Sequence, residues 1–141
     1  MLLVNARSDE TIASEVELAL TRTDRRRGLL GRTTFDLDAA LVISPCWSIH
    51  TAFMRFAIDV VFVDRSGRAL RIVRNLAPWR IAVAARAHAV IEMPAGSLTG
   101  RDLRIGDEIR LVPPPAMHLN VLRCPPFGWK RPGVAISADT P

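Results

Sequence analysis

The chain of 141 residues has no tyrosine, one lysine and two cysteines, and these scarcities exclude several classes of protein. Cys46 and Cys124 lie far apart and form no metal or redox motif, which argues against a zinc module or a disulfide-rich secreted domain. No apolar run reaches the about 18–20 residues that a membrane-spanning helix needs. Residues 1–6 are apolar but have no basic lead and no cleavage pattern, so we expect no secretory signal and a cytoplasmic location.

Positive charge is in modest excess, with 19 basic against 14 acidic residues and a net charge of +5. The excess is spread along the chain and forms no polybasic arm. The densest cluster, Arg25–Arg27, is expected to be a solvated helix face and not a phosphate clamp. A nucleic-acid interface would require clustered bases with interleaved aromatic residues or a known motif, so no nucleic-acid partner is expected.

Strand-sized patterns dominate the rest of the chain. They cover residues 15–20, 40–44, 49–53, 58–63, 68–73, 80–84, 87–93 and 108–112. Residues 58–73 are typical of a hairpin with its turn at 64–67, and residues 24–30 form a short helix capped by Thr23. The pattern predicts a mainly β fold, a small β-sandwich or partly open, jelly-roll-like barrel with one short helix. A parallel α/β architecture is excluded because no crossover helix of about ten residues is present.

A composition change near residue 112 divides the chain. Residues 1–112 are expected to form the β-sandwich domain. Residues 113–141 contain seven of the ten prolines and little apolar periodicity. This proline-rich C-terminal tail is expected to be partly disordered or packed on the domain.

One window, residues 48–59, concentrates the polar chemistry of the chain. His50, Thr51, Arg55 and Asp59 interrupt an otherwise apolar and aromatic segment. One interpretation is structural: Arg55 and Asp59 form an ion pair and His50 is a satisfied core residue. The other is a shallow pocket for an anion or polar ligand, with Arg55 as charge partner and His50 as hydrogen-bond donor or acid/base.

Five sequence blocks in this order give the chain a specific resemblance to a known family. They are RGLLGR, IHTAFMRFAIDVVFVD, NLAPWR, VIEMPAG and LRIGD, at residues 27–32, 49–64, 75–80, 90–96 and 103–107. Together they make residues 15–112 resemble domain-of-unknown-function family 192. The resemblance implies a small β-sandwich or jelly-roll-like domain of bacteria and archaea, without a settled activity and often exported. Ala57 departs from the proline that often precedes the Ile-Asp pair, which is expected to soften that turn.

The resemblance also maps motif positions onto candidate ligand-binding residues of this chain. They are His50, Thr51, Met54, Arg55, Asp59, Trp79 and Glu92. Trp79 suits the wall of a pocket or the core, because it combines a large apolar ring with one N–H donor. Glu92 lies in an apolar strand, so its carboxylate must reach solvent or meet a cation.

The residue set favours binding over catalysis. A serine near His50 lacks a nucleophile elbow, Cys46 and His50 have helical spacing in an extended segment, and no metal-ligand spacing is present. We therefore expect no cofactor and no metal, and interpret the protein as a binding or accessory module. Its partner would be a small polar or anionic molecule, or a protein, at His50, Arg55 and Asp59. A hydrolytic or acid/base enzyme using His50 with Asp59 or Glu92, and a purely structural or interaction domain, are the alternatives.

Overall fold

The computed structural model describes residues 1–114, which form ten strands and one short helix. In chain order these are β1 (Leu2–Asn5), β2 (Glu10–Ala13), β3 (Glu15–Ala19), α1 (Arg22–Arg27), β4 (Ala39–Ile43), β5 (Ser48–His50), β6 (Ile58–Val63), β7 (Ala69–Leu76), β8 (Ile81–Val83), β9 (Ala89–Pro94) and β10 (Ile109–Val112). The mainly β prediction is confirmed. None of the sheets within residues 1–114 closes into a barrel, and the fold is sandwich-like. The predicted tail at 113–141 falls, from residue 115 onward, outside the described residues.

The central element is a five-stranded sheet with the order β3-β4-β9-β6-β7. Strands β4, β6 and β9 are buried along their whole length because side chains of both faces enter hydrophobic cores. One core packs against the three-stranded sheet β10-β1-β2, and the other packs against the two-stranded sheet β5-β8 and the segment after α1. Residues next to each other on one central strand therefore belong to opposite layers.

Two features of the sheets were not expected from the sequence. Strands β3 and β4 pair in parallel. Residues 20–38 connect them with only a six-residue helix, so the excluded parallel α/β architecture does not form. The short strands β1 and β2 were not predicted, because four residues are too few for a recognisable alternation. The two pair with each other through an irregular register. The sheet is thus mixed, and the fold remains mainly β.

Helix α1 begins and ends earlier than its pattern predicts. Thr21, and not Thr23, is the N-cap: its hydroxyl accepts a hydrogen bond from the Asp24 amide at 3.1 Å. Gly28 ends the helix, and its φ of 46° is a left-handed conformation that a glycine adopts without steric cost. No helix within the described residues 1–114 is long and apolar enough to cross a membrane.

The predicted hairpin is confirmed. β6 spans the predicted residues and pairs with β7 in antiparallel register. The Asp64 carboxylate closes the turn by accepting hydrogen bonds from the amides of Ser66 and Arg68 at 2.8 and 3.0 Å. The predicted strand at 49–53, by contrast, ends at His50, because the chain turns at Thr51.

Candidate functional site

The structure divides the seven sequence-predicted residues among three places. His50, Met54 and Glu92 line one cleft. Thr51 and Trp79 belong to two loops that are bonded together beside it, and Arg55 lies exposed in the first of them. Asp59 lies on the other face of the central sheet.

The register of β6 and β9 explains why the two acidic candidates are separated. Asp59 is paired with Met93, and Val60 is paired with Glu92. Side chains alternate along a strand, so Asp59 and Met93 share one face while Val60 and Glu92 share the other. Met93 belongs to the core under the three-stranded sheet and Val60 to the core under β5-β8. Asp59 and Glu92 therefore do not face a common cleft.

The Asp59 carboxylate binds backbone amides and not Arg55. Its Oδ1 accepts from the Asn75 amide at 2.8 Å, and its Oδ2 accepts from the amides of Gly96 and Leu98 at 3.1 and 3.0 Å. Asp59 is 2% exposed, and these three donors occupy both of its oxygens. Arg55 is exposed and makes no ion pair within the described chain. The expected Arg55–Asp59 pair is absent there, and Asp59 instead fixes the end of β7 and the turn after β9.

A cleft of about 150 Å³ opens between α1, the end of β4, and strand β5. Glu92 lies at its buried end. Apolar and sulfur-containing side chains, among them Leu29, Ile43, Cys46 and Met54, form much of its wall. Residues Arg25–Arg27 contribute the basic side of its lining. The cleft thus combines one buried acid with an arginine-rich border.

Glu92 is the buried polar side chain in the described lining of this cleft. It is 4% exposed, and no residue of the described chain donates a hydrogen bond to it or pairs with it. Burial raises the pKa of its carboxyl to about 7, and the Arg32 guanidinium only partly opposes this rise. Arg32 is committed elsewhere, since it binds both carboxylate oxygens of Glu17 at 2.8 and 2.6 Å.

Cys46 contributes a thiol and not a thiolate to the cleft. Its Sγ donates to the Ser48 carbonyl oxygen at 3.1 Å, and burial raises the pKa of the thiol. A raised pKa lowers the fraction of the nucleophilic thiolate, so this environment does not favour Cys46 as a nucleophile. Within residues 1–114, no group of three or more His, Cys, Asp and Glu side chains could hold a metal ion.

Thr51 joins the two loops beside the cleft. Its buried hydroxyl donates to the Ala77 carbonyl oxygen at 2.7 Å and accepts from the Arg80 amide at 2.9 Å. Its backbone N–H donates to the Arg80 carbonyl oxygen, and its own carbonyl oxygen accepts from the amides of Met54 and Trp79. One residue thus sets the geometry of both loops.

These loops present an exposed aromatic pair. The rings of Phe53 and Trp79 meet edge to face with centroids 4.6 Å apart, and the two residues are 73% and 60% exposed. Both have left-handed backbone conformations, with φ of 64° and 60°, which large side chains rarely adopt. Such strain persists only where surrounding contacts impose it, here the Thr51 bonds.

Two groups of site residues were missed by sequence reasoning. Arg26 and Arg27 were assigned to a solvated helix face, although their segment borders the cleft. Phe53 was not selected, although it pairs with the selected Trp79. The sequence does show Phe53 as a large aromatic residue between Thr51 and Arg55, in a window of polar residues. Its contact with another ring is known only from the fold.

Replacing Thr51 with valine is expected to lower the free energy of unfolding by about 1–3 kcal/mol, since the change leaves the Arg80 amide and the Ala77 carbonyl without their bonds. Urea denaturation measures this loss. Thr33→Val, at an exposed position, is the matched control and should stay within about 0.5 kcal/mol of the wild type. Equal effects of the two substitutions would show that the Thr51 hydroxyl does not hold the loops.

Fold and site together define a small β-rich, sandwich-like domain with a cleft over a buried carboxyl group. The chain belongs to the DUF192 family, described as an uncharacterised ACR, whose model matches residues 3–111, so the resemblance seen in the sequence is confirmed. A UPF0127 protein of Thermococcus sibiricus is 36% identical over 115 residues, covering 77% of this chain and 73% of that protein.

Two solved structures share the fold. A protein of unknown function from Novosphingobium aromaticivorans has a TM-score of 0.62 and 23% identity, covering 68% of this chain and 74% of that one. A Sinorhizobium meliloti protein assigned as a candidate transcription regulator has a TM-score of 0.67 and 22% identity, covering 77% and 89%. At these identities the likeness shows the fold alone.

Proposed function

We propose that this protein is a binding module that takes a small polar molecule in the cleft above Glu92. The observation that carries the proposal is a carboxyl group 4% exposed, lining a cleft, with no protein partner in the described chain. An unsatisfied buried polar group costs free energy, so a fold retains one where a ligand or water completes its hydrogen bonds.

The dimensions of the cleft restrict the ligand. The cleft volume is about 150 Å³. Sites for drug-sized molecules have about 300–1,000 Å³, so the ligand is smaller than these. With a pKa of about 7, Glu92 can either donate a hydrogen bond or accept one near neutral pH. The exposed Arg26 and Arg27 favour an anionic group at the mouth. A short molecule with a hydroxyl or amine at one end and a carboxylate at the other fits this arrangement.

This proposal assigns the positively charged partner of the ligand to residues other than the one expected from the sequence. Arg26 and Arg27 take the role first given to Arg55, because Arg55 does not line the cleft. His50 and Met54 keep their places in the lining. Asp59 is left with a structural role on the opposite face of the sheet.

A titration with glycolate, glycine and ethanolamine tests the proposal. We expect glycolate or glycine to shift the ¹³Cδ resonance of Glu92 and to raise the melting temperature, since a ligand of the native state stabilises it. Glu92→Gln and the double change Arg26→Gln/Arg27→Gln should each weaken binding by about tenfold, the loss of roughly one charged hydrogen bond. Glu15→Gln, an exposed acid on β3, is the matched control. Unchanged Glu92 resonances with all three probes would contradict the proposal.

A second candidate function is acid/base catalysis at the same cleft. His50 and Glu92 both line it, and a carboxyl with a pKa of about 7 exchanges its proton near neutral pH, as a general acid or base must. Turnover of a bound small ester or amide, lost in both Glu92→Gln and His50→Gln, would favour the enzyme. Binding without turnover favours the module.

A further inference from the structure

A second surface of the molecule lies outside the cleft and carries exposed apolar side chains. We call it the β8 face. Its members are Trp47, Phe53, Trp79, Ile81 and Val83, with exposed fractions of 57, 73, 60, 75 and 41%. Exposed apolar side chains grouped on one surface indicate an interaction site, whereas single ones do not.

The β8 face is continuous by its backbone connections. Ile81 and Val83 take the outward positions of β8, because Ala82 between them is buried together with Ile49, its partner on β5. At one end of the strand lie Trp79 and its partner Phe53. At the other end the Ala84 amide donates to the Trp47 carbonyl oxygen, which places Trp47 beside the strand terminus.

The charged side chains placed at this face in the described chain are arginines. No acidic residue occurs in the segments 39–58 and 65–91, which supply the face and its neighbours β5, β7 and β8. The Arg71 guanidinium donates to the Val83 carbonyl oxygen at 2.6 Å, so it lies against β8. Arg55 and Arg80 are exposed next to the aromatic pair.

We propose that the β8 face docks on the surface of an anionic lipid membrane. Tryptophan, phenylalanine and isoleucine side chains enter the boundary between headgroups and acyl chains, and arginines pair with the phosphates of acidic lipids. The strained backbones of Phe53 and Trp79 hold both rings outward, where they contribute little to the core but would bury apolar area in lipid. This docking is peripheral. It uses side chains that do not line the cleft, although His50 of the cleft lining pairs with Ile81 across β5 and β8.

Charge and side-chain type favour lipid over other occupants. A second copy joined through the same face would bring arginines against arginines. Residues 115–141 carry three basic residues and one acidic residue, so they match the charge of the face and do not complement it. Bases of single-stranded nucleic acid stack on aromatic rings, whereas Ile81 and Val83 in the middle of the face are aliphatic and suit acyl chains.

Flotation of the full chain with vesicles tests the proposal. Phosphatidylcholine vesicles with and without about 30% phosphatidylserine are the probes, since acidic lipid supplies the surface charge. We expect binding to the anionic vesicles, little binding to neutral ones, and loss of binding at about 0.5 M salt. Phe53→Asn/Ile81→Thr should lower the partition coefficient by about tenfold or more, because asparagine tolerates the left-handed backbone and the apolar area is gone.

Ile105→Thr is the matched control, because Ile105 is 69% exposed but lies outside the β8 face. It should bind like the wild type, and melting curves of all variants should show an intact fold. Equal flotation of the double variant and the wild type would overturn the proposal, as would absence of binding to anionic vesicles. A dimer, or binding to an oligothymidylate, that only the double variant loses would assign the face to a second copy or to nucleic acid instead.

Discussion

Replacing Asp59 with alanine is expected to lower the free energy of unfolding by about 3–6 kcal/mol, an effect large enough to unfold a marginally stable domain. Three backbone amides, those of Asn75, Gly96 and Leu98, would lose their acceptor together. Each buried donor left without a partner costs about 1–3 kcal/mol, and the lower end applies where water can enter.

Position in the fold adds to this cost. Asp59 lies on β6, while its three donors lie at the end of β7 and in the turn after β9. The carboxylate therefore fixes the ends of both neighbouring strands. Asn75 has a φ of 54°. The hydrogen bond from its backbone amide to the Asp59 carboxylate holds that unfavourable backbone in place.

Urea denaturation of two further variants separates this role from an ion-pair role. Asp59→Asn retains one acceptor oxygen and should recover part of the loss. Arg55→Ala should change the unfolding free energy by less than about 0.5 kcal/mol, because Arg55 is exposed and unpaired in the described chain. Similar large losses for Arg55→Ala and Asp59→Ala would instead indicate a coupled pair, in contradiction to the structure.

The second large effect is a pH dependence due to Glu92. The pKa of its carboxyl rises from 4.5 to about 7 in the folded state because burial disfavours the charged form. Between these two values the unfolded chain has released the proton while the folded chain still holds it. Stability contributed by this group is therefore full below about pH 4.5, falls as pH rises, and levels off above about pH 7.

The size of this effect is about 3 kcal/mol, since one pKa unit corresponds to about 1.4 kcal/mol. Glu92→Gln keeps the shape and removes the titration. We expect the variant to match the wild type near pH 4.5 and to be more stable by up to about 3 kcal/mol at pH 8. The difference between the two unfolding curves isolates Glu92 from the other carboxyls, such as Asp107, whose pKa is lowered by its hydrogen bond from Arg7.

Denaturant unfolding at pH values from about 4.5 to 8 measures the difference between the two proteins. The exposed-acid variant Glu15→Gln should run parallel to the wild type across this range. A difference in unfolding free energy between Glu92→Gln and the wild type that stays constant with pH would show that Glu92 has the same pKa in the folded and unfolded chains. The assignment of Glu92 as a buried acid of the cleft would then be wrong.

Local sequence patterns predicted the elements that are marked by apolar runs, turn residues and helix caps. The hairpin of β6 and β7 was predictable because an apolar run, a turn with Asp64 and Gly67, and a returning strand follow each other directly. Helix α1 was found but placed two residues late. Both Thr21 and Thr23 are N-cap residue types, and only Thr21 has an acidic residue, Asp24, three positions later. The parallel pairing of β3 with β4 was missed because it depends on a crossover that has almost no helix.

The sequence predicted only part of the candidate site, because it does not show which face of the central sheet each side chain takes. His50, Met54 and Glu92 were selected and share the cleft, but Asp59, selected with them, lies across the sheet. A shift of one residue in register exchanges the faces of a strand, and no local pattern specifies the register between β6 and β9, which are both buried on both faces.

The sequence by itself determined the mainly β class, the family and the short window in which the polar residues gather, because these depend on composition, alternation and local spacing. Only the tertiary structure decided that Glu92 is buried with no hydrogen bond from the described residues and that Asp59 holds the end of β7 and the turn after β9. It also decided that Phe53 and Trp79 meet on the surface. Those outcomes depend on which segments distant in sequence pack against each other, because that packing decides whether a carboxyl group or a ring is buried.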